Sequence, residues 1–287
     1  MTGGYPAPAG LEVTLGDGVL GLRLDRPARR NAIDDEMMRG LADAVERAGQ
    51  DETVRVIVLS GTGDDFCGGA DIVARNAGAR RPATGAPEPA ADGRPADGRP
   101  RAGSIQRRLP TAAHRLIPLV LSVQTPVVCA VRGWAAGIGL ALSVAADVTV
   151  VAADATLWAP FAERGFTPDS GLTWMLPRRI GDVRARRMLL LGERVDGATA
   201  ADWGLVHRAV PAAELDVAVR DVVDVLRCSA TVGVGLTKWL LHAGTVASLD
   251  GHLRDEAFAL ELSSRSVDFR EGLAAFQQKR RPRFRGR

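Results

Sequence analysis

A chain of 287 residues, 46% hydrophobic and 25% charged, has the composition of an ordinary globular protein and is long enough to bury a substantial core. Its net charge of +3 is concentrated at one end, where the last nine residues, KRRPRFRGR, include six Lys or Arg. Aromatic residues are 5% with a single Tyr, so no base-stacking platform is visible and nucleic acid is not an expected partner.

The three cysteines, Cys67, Cys129 and Cys228, are widely spaced and odd in number. No ligand spacing surrounds them, which predicts reduced thiols in a cytoplasmic protein and no structural metal. The N-terminal MTGGYPAPAG has neither a basic nor an apolar region, so a secretory signal is not expected. GWAAGIGLALSVAA (133–146) is the most apolar stretch, bounded by Arg132 and Asp147. It is too short to span a bilayer and predicts a buried helix, with no membrane as partner.

In chain order, LEVTLGDGVLGLRLDRP predicts two short strands around a Gly-Asp-Gly turn. NAIDDEMMRGLADAVERAGQD then places Ile33, Met37, Leu41, Ala44 and Val45 on one helical face. VRVIVLSG is the β-branched run of a strand covered on both sides, and strand, helix and strand at this spacing predict a βαβ unit. Residues 78–103 break the pattern with Pro, Gly, Ala and Arg, and ADGRP occurs twice in tandem. This reads as a low-complexity insertion, a surface loop or a basic interaction arm. Regular structure resumes with a helix over 104–123, a strand over 126–133, the apolar helix and a strand over 147–154. From 182 onward the spacing is helical, over 182–191, 197–203, 211–227, 231–243, 247–262 and 267–278. The pattern divides the chain into an α/β core, 1–205, and a helical region, 206–287.

Two glycine-rich turns follow strands, GDDFCGGADI (64–73) and GWAAGIG (133–139). Each can leave backbone N–H groups pointing into a cleft, and two that converge form an oxyanion hole. Neither turn matches GxxxxGK[ST] or GxGxxG, which disfavours a nucleotide cradle.

Six segments stand in a telling order: RPARRNAI (26–33), FCGGADI (66–72), VRGWAAGIGLALSVAADVTVVAADA (131–155), GFTPDSGLTWMLPRRIG (165–181), ADWGLVHRAVP (201–211) and EGLAAFQQKRRPRF (271–284). This series resembles the crotonase (enoyl-CoA hydratase/isomerase) superfamily. PDSGLTWMLPR is most similar to the ring-epoxide phenylacetyl-CoA isomerase group. The resemblance implies an α/β fold: a spiral of repeated ββα units with a C-terminal helical trimerisation region. It also implies an acyl-CoA thioester as ligand, a homotrimer or dimer of trimers, and no cofactor beyond the substrate's own coenzyme A. Carried over position by position, it gives the oxyanion-hole N–H groups to Gly68 and Ile138. Gly69, Ala70, Asp71 and Ile72 would lie along the bent CoA, with Arg26, Ala28 and Arg29 near its pantetheine and phosphates. Phe276 and Lys279 would approach its adenine-nucleotide end, where an ammonium suits a phosphate.

Hydratases of the superfamily use two glutamates; the matching positions here hold Ala141 and Phe161. Asp169 in GFTPDSG matches an aspartate that shuttles protons in isomerases and is the nucleophile in a chlorobenzoyl-CoA dehalogenase. By composition alone, Asp behind Pro and ahead of Ser-Gly also suits a helix N-cap. Trp158, Phe161 and Trp174 would keep the acyl site dry. Glu163 is a second candidate acid, and Asp71 is expected to fix its turn. His114, His207, His242 and His252 lie outside the motifs. The implied activity is isomerisation of an enoyl-CoA double bond or ring, with a hydratase or a non-catalytic acyl-CoA binder as alternatives.

Overall fold

The first hairpin closes in two residues. Strands β1 (Leu11–Gly16) and β2 (Val19–Leu24) pair antiparallel from Leu11↔Leu24 to Gly16↔Val19, leaving Asp17 and Gly18 as a turn with φ of 49° and 78°. The computed structural model describes residues 4–71, 106–107 and 113–286, so Ile72, the 78–103 insertion and most of 104–112 lie outside the described residues.

Helix α1 (Asp35–Ala48) is capped by Asp34, whose side chain accepts from the N–H groups of Glu36 and Met37. Met37, Leu41, Ala44 and Val45 are buried, as the spacing predicts. The helix starts later than the sequence pattern because Asn31 is used as a buried brace. Its side chain donates to the Thr62 and Asp65 carbonyls and accepts from the Arg26 N–H. Strand β3 (Val56–Gly61) then pairs parallel with β2, completing the βαβ unit.

After α2 (Ala113–Ser122) come β4 (Val127–Val131), β5 (Trp134–Ala136), α3 (Ile138–Ala145), β6 (Val148–Ala152) and β7 (Thr156–Trp158). Next are α4 (Leu172–Leu190), β8 (Arg194–Asp196), α5 (Gly197–Asp202), β9 (Arg208–Val210) and α6 (Leu215–Arg227). The large sheet has the order β1-β2-β3-β4-β6-β9, parallel except at β1; β5, β7 and β8 form a small second sheet. Alternation along the central strands serves two cores. Ile57, Leu59, Val127, Cys129 and Val151 join the larger core, while Val56, Val128, Val150 and Val210 pack with Leu215, Ala218, Val219 and Val223 of α6.

Strand β9 and its covering helix α6, which lie beyond residue 205, pack with the large sheet. Helix α4 begins earlier than expected, because Gly181 (φ 76°, ψ 162°) breaks it into two halves and the first half contains Pro177.

Helices α7 (Thr231–Ala243), α8 (Leu249–Ser264) and α9 (Val267–Gln277) complete the chain. Helix α7 is tied to the core by buried Lys238. Its Nζ lies 2.7 Å from the Asp147 carboxylate and donates to the Val120 and Thr125 carbonyls at 2.9 and 3.3 Å. The basic tail folds back on α9: Arg285 and Gly286 donate their N–H groups to the buried Asp268 carboxylate at 2.6 and 2.7 Å. Among the described residues, no helix is long and apolar enough to cross a membrane.

Candidate active site

The two glycine turns meet. Cys67 donates its N–H to the Trp134 carbonyl at 2.8 Å and accepts from the Ala136 N–H at 2.9 Å, bridging the first turn to β5. Its Sγ receives the Gly69 N–H at 3.4 Å, and burial pushes the thiol up to about 12, so it stays protonated. Gly69 (φ 114°) and Gly137 (φ 55°) face each other. A Cβ on Gly137 would lie 3.9 Å from the Gly69 Cα, and one on Gly69 would lie 3.4 Å from the Ala136 carbonyl oxygen. Left-handed backbone at both positions is what permits this approach.

Accounting for the N–H groups revises the oxyanion-hole assignment. The Gly68 N–H donates to the Arg30 carbonyl at 2.6 Å and is therefore committed to the fold rather than open to a ligand. Asp71 donates to Ile33, and Ile33 donates to Gly69, at 2.8 and 2.9 Å. Between them the Ala70 N–H has no acceptor among the described residues. Ile138 is the first residue of α3, where an N–H has no partner within the helix, and it too has none elsewhere among the described residues. Ala70 and Ile138 thus carry open donors on either side of the glycine contact. The start of α3 adds its favourable dipole for negative charge.

Beside the first turn, the buried Asp71 carboxylate receives Arg26 Nη2 and Arg29 Nη1, each at 2.9 Å. Arg26 also donates to the Ala32 carbonyl at 2.8 Å and lies 3.1 Å from Asp34. It is an internal strut, its guanidinium occupied by two carboxylates and a carbonyl. Arg29 is 58% exposed and Ala28 is exposed, so both remain on the surface beside the turn.

Asp169 does not cap α4. The N-cap is Gly171 with φ 76° and no side-chain bond, which overturns the capping expectation. The Ser170 hydroxyl instead donates to Asp169 Oδ1 at 2.9 Å, while Oδ2 has no partner among the described residues. The Asp169 backbone carbonyl meets His114 Nε2 at 2.7 Å, a contact across 55 residues that no local motif announces.

Ala141 and Phe161 are apolar and sealed: Ala141 is 0% exposed and Phe161 is 3% exposed, edge-on to Phe166. Trp158 packs against Trp134, donates Nε1 to the Gly192 carbonyl and lies under Arg194; Trp174 is stacked by Arg178. Glu163 is a half-exposed surface residue facing Arg194 at 3.8 Å. Phe276 near the end of α9 and Lys279 just past it are exposed. No cluster of His, Cys, Asp or Glu suited to a metal occurs among the described residues.

A spiral of parallel strands carrying two joined N–H turns defines a class, and sequence comparison agrees with it. The family model described as enoyl-CoA hydratase/isomerase matches residues 14–93 and 101–287, and the chain belongs to that family, the crotonase superfamily. It is 34% identical to the 1,2-epoxyphenylacetyl-CoA isomerase of Escherichia coli K12, over 94% of this chain and 96% of the relative. It is 30% identical to a carnitinyl-CoA dehydratase of Proteus mirabilis, over 96% and 98%. The crystal structure of an enoyl-CoA hydratase from Bacillus anthracis superposes with a TM-score of 0.84 at 25% identity, covering 97% of this chain and all (100%) of that one. These names span isomerisation, dehydration and hydration, so the choice among them rests on the side chains of the site.

Proposed function

We propose that this chain isomerises an enoyl-CoA thioester through an enolate, with Asp169 as the proton carrier. The Ala70 and Ile138 N–H groups hold the thioester oxygen as negative charge develops on it; one such donor is typically worth about 3–4 kcal/mol. Asp169 Oδ2 removes a proton from the α-carbon of a 3-enoyl thioester, and the C–H electron pair passes into the enolate. The same oxygen returns the proton at the γ-carbon, and the double bond moves from the β,γ to the α,β position. Protons and electrons balance without an oxidant or reductant, so the reading calls for no cofactor beyond the substrate's own CoA.

The observation that carries this reading is the contrast between sealed apolar residues, Ala141 and Phe161, at both glutamate positions and a carboxylate with one open oxygen at Asp169. Hydration needs one group to activate water and a second proton delivered to carbon, and that pair is missing. Exposed Arg29 and Ala28, over the buried Gly69 and Asp71, form the surface along which the CoA arm would run. The apolar outer faces of α8 and α9 support association of this chain with copies of itself. Exposed Phe276 and Lys279 would meet the adenine-nucleotide end of a CoA.

The test is Asp169→Asn assayed on 3-hexenoyl-CoA. Double-bond migration should fall by roughly 10²–10⁴-fold while thioester binding persists. Unchanged turnover overturns the assignment. The loss of both glutamates also favours a second reading, a non-catalytic acyl-CoA binder. Exchange of the α-protons of bound 3-hexenoyl-CoA into deuterated water by the wild-type chain would exclude it.

A further inference from the structure

We infer that His114 is a positioning residue for Asp169, anchoring the peptide that carries the shuttle carboxylate; this rests on the reading of Asp169 as the proton carrier. Residues 167–170 make no backbone–backbone hydrogen bond among the described residues, lying between the turn at Phe166 and the first turn of α4. Ser170 holds one carboxylate oxygen, but it belongs to the same untied segment and cannot fix that segment in space. Among the described residues, the His114 contact at 2.7 Å is the hydrogen bond that joins Asp169 to another element.

Its chemistry is constrained. A peptide carbonyl only accepts, so Nε2 must carry the hydrogen, and in the neutral ring Nδ1 is left as the open lone pair. The element bearing the ring is firm: α2 buries Ala113, Leu116, Ile117 and Val120 and packs against α1 and α3. Ile117 also lies beside Gly171, where an added Cβ would be 3.7 Å from its side chain. Helix α2 therefore supplies a fixed point one residue pair away from the reacting carboxylate. Misplacement of a reacting group by about 1 Å can cost on the order of 10²-fold in rate, so this single anchor has a measurable effect on turnover. Because the His114 side chain is exposed, removing it opens no cavity in the core.

The experiment compares His114→Ala and His114→Gln with wild type on 3-hexenoyl-CoA. His114→Ala should lower kcat by roughly 10–10²-fold, leave KM within about twofold and leave thermal unfolding unchanged. His114→Gln, whose amide N–H₂ can donate over a similar reach, should restore most of the rate. Wild-type kcat in His114→Ala overturns the inference, and so does equal impairment of both variants, which would assign the ring its own proton chemistry. Nitrogen-15 spectra of the wild-type imidazoles give a check free of any variant: the neutral His114 ring should be the Nε2–H tautomer, and an Nδ1–H ring overturns the contact. Retained turnover in Asp169→Asn would instead overturn the underlying assignment, so the two failures are distinguishable.

Discussion

Helices α6 and α8 meet the same physical requirement in opposite ways. The 13 residues of α6 bury Leu215, Ala218, Val219 and Val223 against valines of the large sheet. The 16 residues of α8 bury only Ala259, while Leu249, Leu253, Phe258, Leu260 and Leu262 stay exposed, Phe258 by 70%. An apolar helical face needs a partner surface, and α6 finds its partner within the chain. Helix α8 does not: it packs on α7 and α9, and α7 is held in turn by buried Lys238 through its pair with Asp147. The core is therefore self-sufficient, whereas the last helices are joined to it through Lys238 and through Arg55, which donates to Thr231 and to the Ser229 and Phe284 carbonyls, and depend on what covers them.

Breaking the Lys238 tether should have the largest effect on stability. Lys238→Met takes the buried ammonium away from the partly exposed Asp147 carboxylate and from the Val120 and Thr125 carbonyls, and should lower the unfolding free energy by about 3–5 kcal/mol in urea denaturation. Adding Asp147→Asn should recover part of the loss, and a loss below about 1 kcal/mol would show that the tether is dispensable. Leu215→Ala should cost about 2–5 kcal/mol through the cavity it leaves under α6. Its counterpart Leu260→Ser should stay within about 0.5 kcal/mol for the isolated chain and weaken self-association measured by analytical ultracentrifugation. Equal costs for the two substitutions would erase the distinction between the regions.

The smallest effect is one of pH. The Arg280 guanidinium, followed by the Arg283 N–H, holds the Glu271 carboxyl down to about 2. A depressed acid stabilises the fold fully above its ordinary value of 4.5 and loses that contribution as pH falls toward about 2. Protection of the Arg283 amide, its exchange relative to the intrinsic rate at each pH, should therefore fall across this acid window without global unfolding, and Glu271→Gln should remove the step.

The parts of the fold visible in the sequence were those long enough to show a period. The hairpin, β3, β4, β6 and the apolar helix α3 all follow from β-branched or continuous apolar runs. Strands β5, β7, β8 and β9 have three residues each, too few for alternation to register. Gly181 and Pro177 hid the first half of α4. At the site, glycine marked where the two turns approach but not which amide stays open. That depends on Arg30 and Ile33, which come from another part of the chain and take the N–H groups of Gly68 and Asp71. His114 escaped notice for the same reason: its partner is a backbone atom 55 residues away, and no side-chain motif records such a contact.

The tail latch separates two properties that usually travel together, where a segment sits and what it displays. Asp268 grips the main chain of Arg285 and Gly286, and Glu271 receives the Arg283 amide, so the address of the tail is set by peptide groups. Substituting the side chains at 283 and 285 should therefore rewrite the local electrostatic field without relocating the strand that bears it. Proline at 285, which has no amide hydrogen, should do the reverse, releasing the segment with little change to the charge of the remaining tail.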